Sequence, residues 1–203
     1  MKILVACEES QKVTSAFIAR GFDATSIDIQ PTRGLYPEKH IQGCALKEAY
    51  SGQYDMMIAF PPCTYLSKVG APWLTRHGKC NLERYYKGLD ARAFFMALYN
   101  APIKYKAIEN PTPLKVFKLP RHTQAIQPWQ HGHPYTKRTL LWLHNLPPLK
   151  ETSIVKPQKG WCDAKRNPKY RSETFTGIAE AMADQWTKCI LSTRPEQLKL
   201  FAL

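Results

Sequence analysis

The sequence predicts an α/β protein built on a mostly parallel β-sheet. Three observations carry that expectation: short apolar runs, a strand, helix, strand unit across the first 29 residues, and two longer stretches with helical periodicity. The run from Lys2 to Ala6 is apolar and partly β-branched, which suits a buried first strand. A polar turn leads to a helix over Val13 to Arg20, with Gly21 placed as its C-cap. Phe22 to Ile29 alternates as a second strand and carries Asp28 at its end. Tyr54 to Phe60 reads as another buried strand, stopped by Pro61 and Pro62. Leu82 to Asn100 reads as a helix presenting Leu89, Ala93, Phe94, Ala97 and Leu98 on one face. Lys106 to Ile108 forms a short strand running out at Glu109, Asn110 and Pro111, and Thr139 to Leu143 another. Phe175 to Leu191 closes the pattern as an amphipathic helix, and the Lys- and Pro-containing stretch 147–171 reads as a linker.

With 203 residues the chain suits one core of ordinary size. Its 44% hydrophobic and 22% charged residues fall in the globular range, and no apolar run approaches the roughly 18 residues of a membrane span. The opening MKILVACEESQKV lacks the three-part pattern of an export signal, so a cytoplasmic location and no membrane partner are expected. Six cysteines without a CxxC pair are expected as free thiols, and no metal-ligand spacing is present.

The formal net charge is +13, and it is uneven: +3 over residues 1–100 and +10 over 101–203. The segment Lys150 to Arg171 is the densest part, including Lys156, Lys159, Lys165, Arg166, Lys169 and Arg171. Such a surface suits a polyanion, because neutralising phosphates releases counterions. A nucleic acid is the expected partner.

Two strand ends carry the chemistry. AFPPCTYLS at 59–67 holds Cys63 in a rigid loop, and AIENP at 107–111 holds the carboxylate of Glu109. A thiol and a carboxylic acid together suit addition to an electron-poor ring, since thiolate attacks a carbon made electrophilic when the neighbouring ring nitrogen is protonated. Cytosine is such a ring.

Pro62-Cys63 followed by Glu109-Asn110, each at a strand end, resembles the DNA cytosine carbon-5 methyltransferases, and more closely their short phage- and prophage-encoded members. Further blocks similar to that group are VACEES at 5–10, AFIARGFDATSIDI at 16–29, GHPYTKRTLLWLHNLPPL at 132–149 and RSETFTGIAEAMADQW at 171–186, so the resemblance covers nearly the whole chain. It implies a Rossmann-like, S-adenosylmethionine-dependent methyltransferase sheet over residues 1–192 with flanking helices. The segment 147–171 stands where larger enzymes insert a target-recognition domain, and is too short to fold as one.

The resemblance also implies roles. Cys63, beside Pro62, adds to carbon 6 of a flipped cytosine while Glu109, beside Asn110, donates to ring nitrogen 3. Lys137 or Arg138 supports the nucleotide or its phosphate. S-adenosylmethionine is the implied cofactor, with Cys7, Glu8, Glu9, Ser10, Asp28, Ile29, Cys44, Phe60, Pro61, Thr176, Gly177 and Ile178 as its expected contacts. Asp28, about twenty residues beyond the first strand, is placed to hold the ribose. The first loop, CEESQKV, contains none of the glycines of the large enzymes, and Tyr135-Thr136-Lys137-Arg138-Thr139 replaces their Gln-x-Arg-x-Arg. Two alternatives stay open at this stage. One is the same fold acting on RNA, on a nucleotide or with another donor. The other is a non-catalytic DNA-binding relic, against which the presence of both Cys63 and Glu109 argues.

The last residues, 193–203, contain Gln197-Leu198-Lys199-Leu200-Phe201, which resembles the QLxLF pentapeptide that binds the bacterial sliding clamp. Leu198, Leu200 and Phe201 would fill an apolar pocket and Gln197 would fix register. A peptide of residues 193–203 is expected to bind a bacterial sliding clamp at micromolar concentration in a titration. A Leu200→Ala plus Phe201→Ala peptide should not, and equal binding by the two would eliminate the motif.

Overall fold

A computed structural model describes residues 1–76, 78–158 and 173–192. In chain order the elements that frame the site are β1 (Lys2–Ala6), α1 (Lys12–Ile18), β2 (Asp23–Asp28), β3 (His40–Gln42), α2 (Ala45–Ala49) and β4 (Met56–Ala59). There follow α3 (Ala71–Leu74), the two-residue strands β5 (Thr75–Arg76) and β6 (Lys79–Cys80), and α4 (Leu82–Asn100). The chain continues through β7 (Tyr105–Pro111), β8 (Gln124–Ile126), β9 (Thr139–His144) and α5 (Thr176–Ser192).

Seven strands form one sheet in the order β3-β2-β1-β4-β7-β9-β8. The five from β3 to β7 run parallel, while β9 enters antiparallel between β7 and β8. This is a Rossmann-like α/β sheet as expected, with its order reversing on either side of β1 and β4. Ligands of such sheets bind at the carboxyl ends of the strands flanking that point, which here are the ends at Ala6 and Ala59.

Both faces are covered, which is why β1 and β4 are apolar at nearly every position. Alternation sorts the side chains: Ile3, Val5, Met56 and Ile58 join α1 and α5, with Phe17, Met182 and Trp186, in one buried layer. Leu4, Ala6, Met57 and Ala59 join α2 and α4, with Phe95, Leu98 and Trp142, in the other. The two large indoles are fully buried, and each still places its N–H on a carbonyl. Trp142 donates to Pro120 O (2.9 Å) and Trp186 to Pro147 O (3.0 Å).

Helix ends follow their local chemistry. Gly21, at φ 79°, ends α1 with its N–H on Ile18 O (2.8 Å) and that of Phe22 on Phe17 O (3.2 Å), the paired bonds of a Schellman turn. Asn81 caps α4 by accepting from Arg84 N. The buried Lys106 ammonium closes the other end of α4 on Tyr99 O (2.8 Å) and Ala101 O (2.7 Å).

Two expectations need correction. The buried face of α4 carries Gly88, Phe95 and Leu98, whereas Leu89 and Ala93 are exposed. The Phe117 ring fills the space over Gly88, where a Cβ would lie 2.0 Å from it, so a residue without a side chain marks the packed face. The stretch 147–171 is not a linker over its described part. Lys150 exchanges two hydrogen bonds with the Gln185 side chain on α5, and Ser153, Val155 and Gln158 bond to the 129–134 segment. Lys156 is exposed there, while Lys159, Lys165, Arg166, Lys169 and Arg171 lie outside the described residues, as do Gln197, Leu198, Leu200 and Phe201.

At the start of α5 the Gly177 N–H donates to Nε2 of His133 (3.0 Å), which requires a neutral imidazole, and burial lowers the His133 pKa in that direction. A Cβ on Gly177 would lie 1.9 Å from the His131 carbonyl oxygen. Gly177→Ala is therefore expected to cost about 1–3 kcal/mol of overpacking. Thermal unfolding should show Tm falling by about 2–4 °C per kcal/mol; an unchanged Tm would mean that α5 docks less closely.

Candidate active site

The loop after β4 and the end of β7 are laced together. Asn110, fully buried, donates from Nδ2 to Pro61 O (2.9 Å). Lys68 N donates to Thr112 O (2.9 Å), and Leu114 N to Leu66 O (2.7 Å). Between these ties the Cys63 carbonyl accepts from Leu66 N (3.0 Å) and Ser67 N (2.9 Å), closing a turn that leaves the thiol half-buried. Pro61 is buried below it and Pro62 is exposed beside it. Two prolines stop β4 and stiffen the loop, while β7 runs on to Pro111 because β9 pairs with it there.

Cys63, Glu109 and Lys137 share one electrostatic environment. Burial pushes the Cys63 thiol up, the Glu109 carboxylate pushes it further, and the Lys137 ammonium pulls it down. Burial likewise raises Glu109, against the pull of Lys137. Lys137 is fixed through its backbone N–H on Gln127 Oε1 (2.9 Å), and its Nζ lies 5.9 Å from the Phe175 ring centroid. Arg138 is exposed, so of the two cations expected at the nucleotide only Lys137 is brought to this pair. A narrow cleft beside Glu109 and Lys137 is lined also by Thr139, Phe175 and Ile178. Thr139 and Phe175 were not singled out from the sequence, where no charge or nucleophile marks them.

A second cluster lies at the ends of β1, β2 and β3. Cys7 takes a left-handed φ of 60°, the backbone region a glycine would ordinarily supply, and its N–H donates to Ile27 O (2.7 Å). Its thiol is pushed up to about 12 by burial, then by Asp28 and by Cys44. Asp28 is half-buried and accepts from Gln30 N at Oδ1 (2.9 Å), while its carbonyl accepts from Gly43 N (2.8 Å). Ile29 beside it is 72% exposed, an apolar surface at the lip of the sheet. Phe60, half-buried, bridges this lip and the nucleophile loop through its N–H on Ala6 O (2.9 Å).

Other residues expected at the cofactor are engaged elsewhere. The buried Glu8 carboxylate accepts from Val13 N (2.6 Å), Thr14 N (3.1 Å) and Thr14 Oγ1 (2.7 Å), capping α1. Glu9 pairs with Arg33, which also reaches Glu173 (3.2 Å), and so pins the loop after β2. Ser10 and Thr176 line a groove between α1, α5 and residues 33–35, away from the Cys7, Asp28 and Cys44 cluster. Gly177 is held against His133, as described, and Ile178 is buried on the Glu109 side.

Among the described residues, no cluster of three or more His, Cys, Asp or Glu side chains could hold a metal, and no helix is long and apolar enough to cross a membrane. Comparison with protein-family models and with curated proteins finds no match. Among solved structures, the chain is similar to a putative DNA modification methyltransferase encoded within an E. coli prophage, at 11% identity over 77% of this chain and 52% of that one, with a TM-score of 0.45. It is also similar to an Entamoeba histolytica methyltransferase, at 16% identity over 78% and 57%, TM-score 0.42. A third is the S. pombe Dnmt2 methyltransferase, at 15% identity over 76% and 51%, TM-score 0.36. The chain spans little more than half the length of these proteins.

The charge arrangement makes Cys63 reactivity a readout of its neighbours. Alkylation of Cys63 by iodoacetamide, followed by mass spectrometry from pH 7 to 10, should rise with pH to a midpoint above that of an ordinary thiol. Glu109→Gln should speed it by roughly three- to tenfold at pH 8 and Lys137→Met should slow it, because one removes a repelling and the other a stabilising charge. Equal rates in all three proteins would place the carboxylate and ammonium out of reach.

Proposed function

We propose that this protein is an S-adenosylmethionine-dependent methyltransferase acting on carbon 5 of cytosine in DNA, in a cytoplasmic setting. The observation that carries the reading is the joining of Cys63, Glu109 and Lys137 in one site at the carboxyl edge of the sheet, held by the Asn110 to Pro61 hydrogen bond. Cys63 is the nucleophile that forms a bond to ring carbon 6. Glu109, whose carboxyl is raised by burial, retains a proton more readily than a solvated carboxylate and delivers it to ring nitrogen 3. With Glu109 protonated its repulsion on the thiolate disappears, and Lys137 then balances the charge on sulfur. After methyl transfer the carbon-5 proton passes to solvent, its bonding pair restores the ring double bond and expels Cys63 as thiolate, and ring nitrogen 3 returns its proton to Glu109.

The cofactor edge supports the same reading. In dinucleotide-binding Rossmann proteins the first helix N-terminus receives a pyrophosphate. Here Glu8 already occupies the first-turn amides of α1, so an anionic phosphate would meet a carboxylate. S-adenosylmethionine carries no phosphate, and its sulfonium supplies the electrophilic methyl group when bound. Asp28 suits the ribose hydroxyls and exposed Ile29 the face of the adenine, with Cys7 and Cys44 beside Asp28.

The test is nucleoside mass spectrometry of DNA and RNA from cells that lack their own cytosine methylation and express the protein. 5-Methylcytosine is expected in DNA, absent with Cys63→Ala and lowered about a hundredfold or more with Glu109→Gln in purified assays. Persistence of the product in Cys63→Ala would overturn the mechanism, and methyl found only in RNA would overturn the substrate.

A further inference from the structure

Between the nucleophile loop and the middle of α4 the protein exposes an aromatic and basic surface that the proposed chemistry does not use. Val69, Trp73, Leu82 and Tyr86 are 60–69% exposed, four of the eleven exposed large hydrophobic residues among those described. Arg84 is held between two rings of this surface, its guanidinium centre 5.0 Å from the Tyr65 centroid and 5.7 Å from that of Trp73. Its Nη2 donates to the carbonyl of Thr64 (2.8 Å), the residue after Cys63. Lys87 lies 5.9 Å from the Tyr65 ring and is bonded to Glu83 (2.6 Å), while Lys68 and Lys79 are exposed nearby.

Two clefts meet here. One lies between Trp73 and Lys87, the other between Lys87 and Pro62, and both include Tyr65. Sharing Tyr65 and Lys87, they follow one another as a groove from Trp73 to the proline beside the nucleophile.

We infer that this groove is a strand-guiding platform, on which Trp73 stacks a base flanking the target nucleotide while Lys68 and Lys87 take backbone phosphates. The inference rests on the proposed action on DNA. The exposed Trp73 ring beside the Arg84 guanidinium favours a nucleic acid as the occupant, although Glu83 pairs with Lys87 and Asp90 also lines the groove, and the groove ends where a flipped base must enter. A protein partner offers no comparable reason for Arg84 to be pre-stacked between two aromatic faces. The platform supplies these contacts from the stretch between β4 and the middle of α4.

The test is fluorescence anisotropy of the full chain, without cofactor, on a fluorescein-labelled DNA duplex bearing a mismatched cytosine, with a single-stranded RNA as second probe. Trp73→Ala is expected to weaken DNA binding about 5- to 150-fold, the worth of one stacked base, and Trp73→Phe to keep binding within about threefold. Quenching of intrinsic tryptophan fluorescence by DNA should diminish in Trp73→Phe despite that binding. Lys68→Ala with Lys87→Ala should reduce the slope of log affinity against log salt by about 1.8, or 0.9 for each phosphate contact on duplex DNA; this pair also tests the surface should Trp73→Ala fail to fold. DNA binding unchanged in Trp73→Ala, with wild type binding well and methylating DNA, would overturn the platform alone. Trp73-dependent binding confined to RNA would support the platform and overturn the DNA substrate, and no binding of either nucleic acid by wild type would overturn both.

Discussion

The carboxamide of Asn110 lies fully buried at the end of β7 and donates to the backbone of Pro61. The nucleophile loop and the strand that carries Glu109 are joined at that contact. It fixes the height of the nucleophile loop against the strand that carries Glu109, so that thiol and carboxyl approach from two parallel strands with a defined separation. A buried side chain bonded to backbone is a rigid spacer, since moving it would leave a donor unpaired at a cost of about 1–3 kcal/mol. Its own Oδ1 has no hydrogen-bond partner among the described residues. The fold thus carries an unsatisfied polar atom at one of the three ties that hold these segments in register.

Around this spacer, three charges set one another. Burial alone would hold both Cys63 and Glu109 in their neutral forms, and Lys137 opposes burial at each. The state suited to nucleophilic addition, thiolate beside protonated carboxyl, carries one negative charge against one ammonium. A second negative charge on Glu109 is what the site resists. The same arrangement raises the Glu109 carboxyl and the Cys63 thiol alike, so each holds its proton more readily than a solvated group would.

At the other edge, Glu8 shows how a short first loop without glycine is accommodated. Cys7 adopts the left-handed backbone itself, and Glu8 turns back to close α1 instead of leaving its amides for a phosphate. Glu9 and Arg33 extend this by fastening the loop after β2. Two acids in the first loop thus shape the rim, and Asp28 with exposed Ile29 remains as its open part.

The sequence by itself determined the local features: the apolar runs of β1 and β4, the Gly21 turn, the span of α4 and the two strand ends bearing Cys63 and Glu109. These are properties of neighbouring residues, and backbone periodicity and proline or glycine chemistry express them directly. It misjudged the packed face of α4, because that face centres on Gly88 and is defined by Phe117, twenty-nine residues away. It also read 147–171 as a linker, since over the described part, 147–158, loop composition hides hydrogen bonds made to Gln185 and the 129–134 segment. Only the tertiary structure decided that Lys137 and not Arg138 acts on the charge of the thiol, that Glu8 serves α1, and that Trp73, Tyr65 and Arg84 stand together beside the nucleophile loop. Each depends on which distant segments a long-range sheet order brings side by side, and on which of them reach a partner first; no spacing along the chain encodes that.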